Sequence, residues 1–297
     1  MTGPVKGFLL LTSQLGDPER KPLTVAQFRK LANLLAGRKN PGENRALEEK
    51  DLLLLGYDTA FAQRILGLLG EKNRLREYLR RGEEQGCVPV TRLSSLYPLI
   101  LRKRLGLDSP GCLWAKGDLT LLECPGVSLV GSRELKRENR VFAEAAGVAT
   151  AEQGFVLISG NARGADRTAQ ESCLLNGGSV ISVVADSLQE QPEKEHVLYL
   201  SLDAFDSAFS TQRALRRNHV IHALGYLTLV AQCTLNKGGT WSGTVQNLRC
   251  GWNNVCCYDD ASEAAEELSR RGARCISLSE LNDLRKLGEK PLNFLDQ

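Results

Sequence analysis

Apolar residues between about Leu23 and Gln85 recur at the three- and four-residue spacing of amphipathic helices. Thr24, a residue type that caps helix N-termini, precedes the clearest series. That series consists of Val25, Phe28, Leu31, Leu34 and Leu35. The pattern predicts a small all-helical domain in the first third of the chain.

Three further apolar segments, at residues 52–56, 60–69 and 75–81, predict short helices, each with a glycine at or just after its end. Arg38–Arg45 contains Asn-Pro-Gly and predicts a loop. A helix-hairpin-helix around Gly56–Gly70, which would bind backbone phosphates, is one interpretation of this region. A plain helical packing module is the favoured one.

The pattern changes after Gly86 to extended, proline-punctuated segments, so a linker is expected near residues 86–96. Short apolar runs then alternate with helix-like stretches, which is typical of a doubly wound (Rossmann-like), mostly parallel sheet in an α/β fold. The expected strands are Val127–Val130, Phe155–Ile158, Val180–Val184, Val197–Leu200, Leu227–Ala231 and Val255–Tyr258. A helix at Glu263–Arg271 and a short edge strand at Cys275–Leu278 are expected to follow. The predicted domains are residues 1–90 (helical), 91–285 (Rossmann-like core) and 286–297 (loosely structured tail).

Composition narrows the class of protein. No signal peptide and no apolar run of bilayer length is present, which predicts a cytoplasmic protein without a membrane partner. The nine cysteines include no C-x-x-C pair, and this predicts reduced structural thiols rather than a disulfide framework or zinc site. A net charge of +3 is too small to indicate nucleic acid by itself.

Two of the predicted strands end in small-residue turns that contain arginine. The first turn is Gly131-Ser132-Arg133, and the second runs from Ser159 to Asp166 through Gly160, Arg163 and Gly164. Such turns lie beyond the carboxyl ends of parallel strands, where backbone N–H groups and helix N-termini approach an anion closely. Phosphate is therefore the expected ligand, although either turn alone also fits a simple tight strand-to-helix connection.

These two turns, followed by Arg217-Asn218-His219-Val220-Ile221, resemble in order and spacing the signature blocks of the DNA-processing protein A (DprA/Smf) family. Leu96-Tyr97-Pro98 and the segment 113–118 are similar to the family's approach to its first core strand. The resemblance implies single-stranded DNA binding, loading of the RecA recombinase during DNA uptake and recombination, and a homodimer. Many relatives carry a C-terminal winged-helix module, which is not expected here.

The candidate nucleic-acid or phosphate contacts combine the turns with two later segments. They are Gly131, Ser132, Arg133, Ser159, Gly160, Arg163, Gly164, Asp166, Arg217, Asn218, Lys237, Gly238, Gly239, Thr240 and Ser242. Arg133 is the leading DNA contact by resemblance, whereas Asp166 is expected to cap a helix and orient Arg163. Arg217 and Asn218 either face the ligand or pin their helix onto the loops.

Several positions depart from the family pattern. His219 stands where the family has arginine, and Gln232 stands where glutamate is common; Lys237, in an expected loop, compensates in part. The segment Gln191-Pro192-Glu193 replaces a tyrosine-proline-lysine sequence. These changes predict weaker DNA binding than is usual for the family. Trp241 either stacks on a base or packs beneath its helix.

No motif of a nucleotide hydrolase, metalloprotease or serine hydrolase is present. His219 and His222 lack a third ligand, so neither a metal nor a cofactor is predicted. The lysine-decarboxylase-like phosphoribohydrolases carry a catalytic glutamate where this chain has Val245, Gln246 and Asn247. A binding protein without a catalytic residue is therefore favoured over that enzyme class. A nucleotide-binding sensor is the other alternative.

Overall fold

The computed structural model describes residues 2–37, 46–202 and 204–289. The loop predicted at Arg38–Arg45 and residues 290–297 of the predicted tail lie outside these residues. The last described element before that tail is a helix, α12, which ends at Gly288.

Five helices open the chain, and the apolar spacing predicts the last four of them. They are α1 (Gly3–Thr12), α2 (Val25–Ala36), α3 (Glu49–Leu54), α4 (Thr59–Gly70) and α5 (Lys72–Glu84). Thr24 caps α2 as expected, because its side chain accepts from Gln27 N–H while the Gln27 side chain accepts from Thr24 N–H. Helix α1 lies before the predicted helical region. In α4, the residues Ala62, Ile65 and Leu68 are buried, in keeping with a packing module.

The described residues form one nine-stranded sheet, β1 to β9 in chain order. The strands are Cys87–Thr91, Cys112–Gly117, Gly126–Val130, Val156–Ser159, Ser179–Val184, Val197–Leu202, Leu227–Val230, Asn254–Tyr258 and Arg274–Ile276. Their spatial order is β1-β2-β6-β5-β4-β3-β7-β8-β9. All seven strands from β3 onward are mutually parallel, and β1 and β2 extend the sheet in antiparallel pairing beyond β6. The doubly wound, mostly parallel fold is thus confirmed.

Seven more helices cover the two faces of the sheet. They are α6 (Leu99–Leu105), α7 (Arg137–Glu152), α8 (Ala165–Leu175), α9 (Thr211–Leu224), α10 (Gly238–Cys250), α11 (Glu263–Arg270) and α12 (Leu284–Gly288). Buried residues of α7, α8 and α12 belong to one apolar cluster, and those of α6, α9, α10 and α11 belong to another. None of the helices in the described ranges is both long and apolar enough to cross a bilayer.

The predicted linker at residues 86–96 is partly wrong, because β1 pairs along its whole length with β2. The preceding helix also packs directly onto the sheet. Tyr78 of α5, Trp114 of β2 and Phe205 have ring centroids 4.7–5.4 Å apart. The Tyr78 hydroxyl donates to Asp206 at 2.8 Å. Helices α1 and α5 therefore share an apolar cluster with the sheet, whereas the buried apolar residues of α2, α3 and α4 belong to a separate cluster.

The order of strands creates a crevice for a ligand. After β3 the chain adds β4, β5 and β6 on one side and then returns to place β7 on the other side of β3. The connections that leave β3 and β7 consequently diverge at the carboxyl edge of the sheet. Ligands of open α/β sheets bind at such a switch point.

Candidate nucleic-acid interface

The turns that follow β3 and β4 interlock. Ala165 N–H donates to the Ser132 carbonyl oxygen at 3.1 Å. Gly164 has a φ of +87°, and a Cβ atom there would lie 2.4 Å from that same oxygen. Only glycine combines this backbone conformation with this close approach. The contact holds the two turns side by side, so that Arg133 and Arg163 project from adjacent loops.

Four arginines line one surface pocket of about 460 Å³ between these loops and the helices that follow them. We call it the arginine pocket: Arg133, Arg140, Arg163 and Arg167. Arg140 donates to Thr168 Oγ1 at 3.2 Å, and Arg167 donates from Nε to the Asn161 carbonyl oxygen at 3.2 Å. Arg133 and Arg163 are among the contacts predicted from the sequence, whereas Arg140 and Arg167 are not.

A signal for the two missed arginines exists in the sequence. Arg140 lies in the first turn of α7 and Arg167 in the first turn of α8. A cation at a helix N-terminus is unfavourable because the helix dipole is positive there. A phosphate bound in the arginine pocket would compensate both charges.

Acidic groups moderate the positive potential of the pocket. Glu134 and Glu171 also line it, and Arg163 Nη2 lies 3.6 Å from Glu134 Oε1. Both partners of that ion pair are largely exposed, so it contributes little stability. Arg133 forms neither a hydrogen bond nor an ion pair with any residue that the structure describes, and its charge is available to a ligand.

Asp166 organises the turn after β4 rather than capping the next helix. Its Oδ2 accepts from Gly160 N–H at 3.1 Å and from Ala162 N–H at 3.2 Å. The N-cap of α8 is Gly164. The expectation that Asp166 caps this helix and orients Arg163 is therefore wrong, since Arg163 pairs with Glu134. As a contact for phosphate, Asp166 is also excluded by its burial and negative charge.

Arg217 lies inside the protein, under the turn after β4. Its Nη1 is 3.7 Å from Asp166 Oδ2, and its side chain is 8% exposed. A Cβ atom at Gly160 would come within 1.1 Å of Nη1. Arg217 therefore pins α9 beneath the loop, and the prediction that it contacts nucleic acid is wrong. Burial lowers the pKa of Arg217 and raises the pKa of Asp166, with their mutual attraction opposing both shifts.

Ser159 and Gly160 are also too deep to contact a ligand through side-chain groups. The Ser159 hydroxyl is fully buried and accepts from Gln170 Nε2 at 2.5 Å. Gly160 is buried above Arg217, and its N–H is already used by Asp166. These two predicted contacts are therefore structural.

The segment predicted as a loop at residues 237–244 is mostly helix, since α10 begins at Gly238 with Lys237 as its N-cap. Thr240 Oγ1 donates to the Gly131 carbonyl oxygen at 2.9 Å, which ties α10 to the turn after β3. Gly239 packs against the Asn218 amide, where a Cβ atom would meet Nδ2 at 2.8 Å. Lys237 and Ser242 remain exposed at the carboxyl edge.

Trp241 packs inside the protein and does not face a ligand. Its side chain is buried, and the Arg271 guanidinium lies over the ring at 5.7 Å from the centroid. Base stacking on Trp241 is therefore excluded by its burial.

Two residues that depart from the family pattern brace the site. Gln232 accepts from Lys136 N–H at 2.9 Å and donates to the Glu134 carbonyl oxygen at 3.3 Å. A glutamate cannot make the second bond because an ionised carboxylate has no donor. Gln191 is buried and accepts from Asn161 Nδ2 at 3.2 Å. Both glutamines hold the turns that carry the arginine pocket.

His222 takes part in a buried polar network rather than facing the site. Its Nδ1 lies 3.4 Å from Thr228 Oγ1 and 3.2 Å from Asn247 Nδ2. Asn253 donates to the His222 carbonyl oxygen at 2.7 Å. Burial, with a smaller contribution from His219, lowers the pKa of His222 to about 3. The ring is therefore neutral at physiological pH.

The site can be compared with known proteins. The family model described as DNA recombination-mediator protein A matches residues 89–285, which includes every residue of the arginine pocket. DNA processing protein DprA of Streptococcus pneumoniae is 37% identical over 81 residues, or 27% of this chain and 28% of the relative. Protein Smf of Escherichia coli is 30% identical over 158 residues, which cover 48% of this chain and 40% of the relative. The chain thus matches less than half the length of these curated relatives.

Solved structures extend the likeness in fold. The X-ray structure of DprA from Streptococcus pneumoniae superposes with a TM-score of 0.69 at 22% identity, over 91% of this chain and 99% of that one. DNA processing protein A from Helicobacter pylori superposes with a TM-score of 0.56 at 22% identity, over 68% of this chain and 97% of that one. That structure is described in terms of its single-stranded DNA binding mode. At this identity the superpositions establish the fold.

Proposed function

Because this chain belongs to the DNA recombination-mediator protein A family, we propose that it binds single-stranded DNA along the carboxyl edge of its sheet. The observation that carries the proposal is the arginine pocket, in which four guanidinium groups from two loops and two helices surround one cleft. Guanidinium groups bind phosphate in bidentate fashion. Phosphate contacts carry no sequence information, and binding is expected to be independent of base sequence.

The exposed cations can follow a strand beyond the pocket. Lys136 and Lys237 flank the turns after β3 and β7. Lys237, like Arg133, has no side-chain partner among the described residues, so a phosphate does not have to displace an ion pair. The acidic residues Glu134, Glu171 and Asp186 lie near the same edge and reduce the net potential. The resulting affinity is expected to be modest and strongly salt-dependent.

The proposal is tested by fluorescence anisotropy with labelled oligothymidine at several salt concentrations. Binding at low ionic strength that weakens as salt rises is expected. Absence of binding at low ionic strength would refute the proposal. Unlabelled nucleoside monophosphates serve as competitors of the labelled oligonucleotide. If they displace it at low concentration, and if nucleotides but not oligonucleotides raise the melting temperature of the protein, the chain is a nucleotide sensor instead.

The family also suggests what the binding serves. We propose that the chain acts in DNA uptake and recombination by loading RecA recombinase as a homodimer. Two carboxyl edges in one dimer would engage one strand, and the second engagement would be intramolecular. Such avidity suits a site whose positive charge is partly cancelled by neighbouring carboxylates.

A binding role is favoured over phosphoribohydrolase activity by the residues of α10. Asn247 is buried, and its amide donates to Thr228 Oγ1 at 3.3 Å and Asn253 Oδ1 at 2.7 Å. A neutral amide cannot act as a general base. Incubation with nucleoside monophosphates should therefore release no free base. Release that disappears in Arg133→Ala would establish the enzyme instead.

A further inference from the structure

Two thiols of neighbouring strands lie close together away from the proposed DNA site. Cys257 of β8 and Cys275 of β9 are register partners in a parallel pair. Their side chains point to the same face of the sheet, and their sulfur atoms are 3.4 Å apart. Both thiols also contact the Ala265 carbonyl oxygen of α11, at 3.9 and 3.7 Å. The helix thereby holds the two sulfur atoms toward each other.

The two thiols differ in access to solvent. Cys257 is 2% exposed, whereas Cys275 is partly exposed on a three-residue strand at the edge of the sheet. Burial raises the pKa of the Cys257 thiol. Since the thiolate is the reacting form, a reagent from solvent meets Cys275 first and Cys257 reacts second.

From this arrangement we propose that Cys257 and Cys275 form a reversible oxidative modification site, which small disulfides convert to an intrachain disulfide. The Cys275 thiolate attacks one sulfur of the small disulfide and expels one thiolate, leaving a mixed disulfide. Cys257 then loses its proton, attacks the Cys275 sulfur and expels the second thiolate. Two protein thiols are oxidised, and one small disulfide is reduced to two thiols.

The geometry permits this closure with little rearrangement. The sulfur atoms must approach from 3.4 Å to about 2.05 Å, the length of a disulfide bond. The edge strand β9 has a strand neighbour on one side only, and Gly272 with a φ of +103° precedes it. Residues 274–276 can therefore shift toward β8 without breaking a second set of strand hydrogen bonds.

Other thiols provide internal controls. Cys256 belongs to the apolar cluster on the opposite face of the sheet, because alternate strand residues point to opposite faces. Cys124 and Cys250 are exposed, and the contacts of their sulfur atoms among the described residues are with the Thr120 carbonyl oxygen and Gln246 Nε2. Oxidation at these exposed positions would give mixed disulfides rather than an intrachain bond.

The test uses the full chain with Cys250→Ser, which simplifies the tryptic segment 250–270. The protein is incubated with oxidised glutathione, blocked with N-ethylmaleimide under denaturing conditions, digested with trypsin and analysed by tandem mass spectrometry. The expected product links Cys257 to Cys275 in segment 275–285, and reductant reverses it. With Cys257→Ser, glutathione should remain on Cys275. Glutathione on Cys275 beside an alkylated Cys257 in the Cys250→Ser chain would overturn the proposal, as would a Cys256–Cys275 link or an unmodified pair.

Discussion

The guanidinium of Arg217 occupies the space beneath Gly160, so that a Cβ atom at position 160 would lie 1.1 Å from Nη1. This contact joins α9 to the turn after β4. Asp166 binds the same turn through two N–H groups and faces Arg217 at 3.7 Å. A buried ion pair therefore fixes the loop from which Arg163 projects, and the residues proposed to bind DNA are separate from those that shape the site.

Gly160→Ala is expected to destabilise the protein by about 1–3 kcal/mol, the usual cost of overpacking a filled core. The added methyl group must displace the Arg217 guanidinium. Urea denaturation measures the loss. Gly67→Ala is the matched control, because nothing lies within 4 Å of a Cβ atom there and alanine favours helix α4. Equal stability of the two variants would contradict the contact.

Arg217→Met should lower the free energy of unfolding by about 3–5 kcal/mol, since it leaves the Asp166 carboxylate buried without its cation. A second substitution, Asp166→Asn, removes that charge and should restore part of the loss. The double-mutant cycle in urea yields the coupling between the two residues. Strictly additive effects would show that the ion pair does not stabilise the loop.

The free energy of unfolding should decrease as the pH falls, because the buried His222 ring is neutral in the folded protein. Because the folded pKa of about 3 is below the ordinary value of 6.5, the unfolded chain binds the proton first as pH falls below 6.5. This contribution is fully present above pH 6.5 and declines toward pH 3 by at most about 1.4 kcal/mol per pH unit. Comparison with His222→Gln isolates the contribution of His222. The free energy of unfolding of this variant should depend less steeply on pH between pH 6 and 4. An unchanged slope would contradict a neutral buried imidazole.

Light scattering tests the proposed dimer. The free protein should have twice the mass of one chain, and Arg133→Glu should leave that mass unchanged while abolishing most oligonucleotide binding. Arg133 is exposed and without a partner in the described part of the chain, so its charge reversal acts on DNA rather than on folding. A strict monomer that binds DNA tightly would remove the basis for avidity.

Much of the fold follows from short-range patterns. The strand from Val127 to Val130 and the capped helix after Thr24 were predicted correctly because apolar period and capping chemistry are local properties. Helix α6 was missed because it is short, and strands β1 and β2 were missed because antiparallel pairing with each other and with β6 fixes them. The early start of α10 was missed because Gly238 and Gly239 have low helix propensity.

The site was less predictable than the fold for a physical reason. The sequence makes both Arg163 and Arg217 candidate contacts, yet only tertiary packing decides which guanidinium is exposed. Gly160 leaves room for Arg217 below the loop, whereas Arg163 projects above it. Arg140 and Arg167 enter the site because α7 and α8 lie side by side, a relation that no local motif records.

If the arginine pocket binds the phosphates of single-stranded DNA, the salt dependence of oligothymidine binding should change in Arg133→Ala and in Arg167→Ala. Arg270→Ala is the control. Arg270 is exposed at the C-terminal end of α11, which runs back from the carboxyl edge. Each pocket variant should weaken binding and reduce the slope of log K against log salt by about 0.7, the value for one phosphate contact on a single strand. The control should retain the original slope. Unchanged affinity and slope in both pocket variants would show that the arginine pocket does not bind the phosphates.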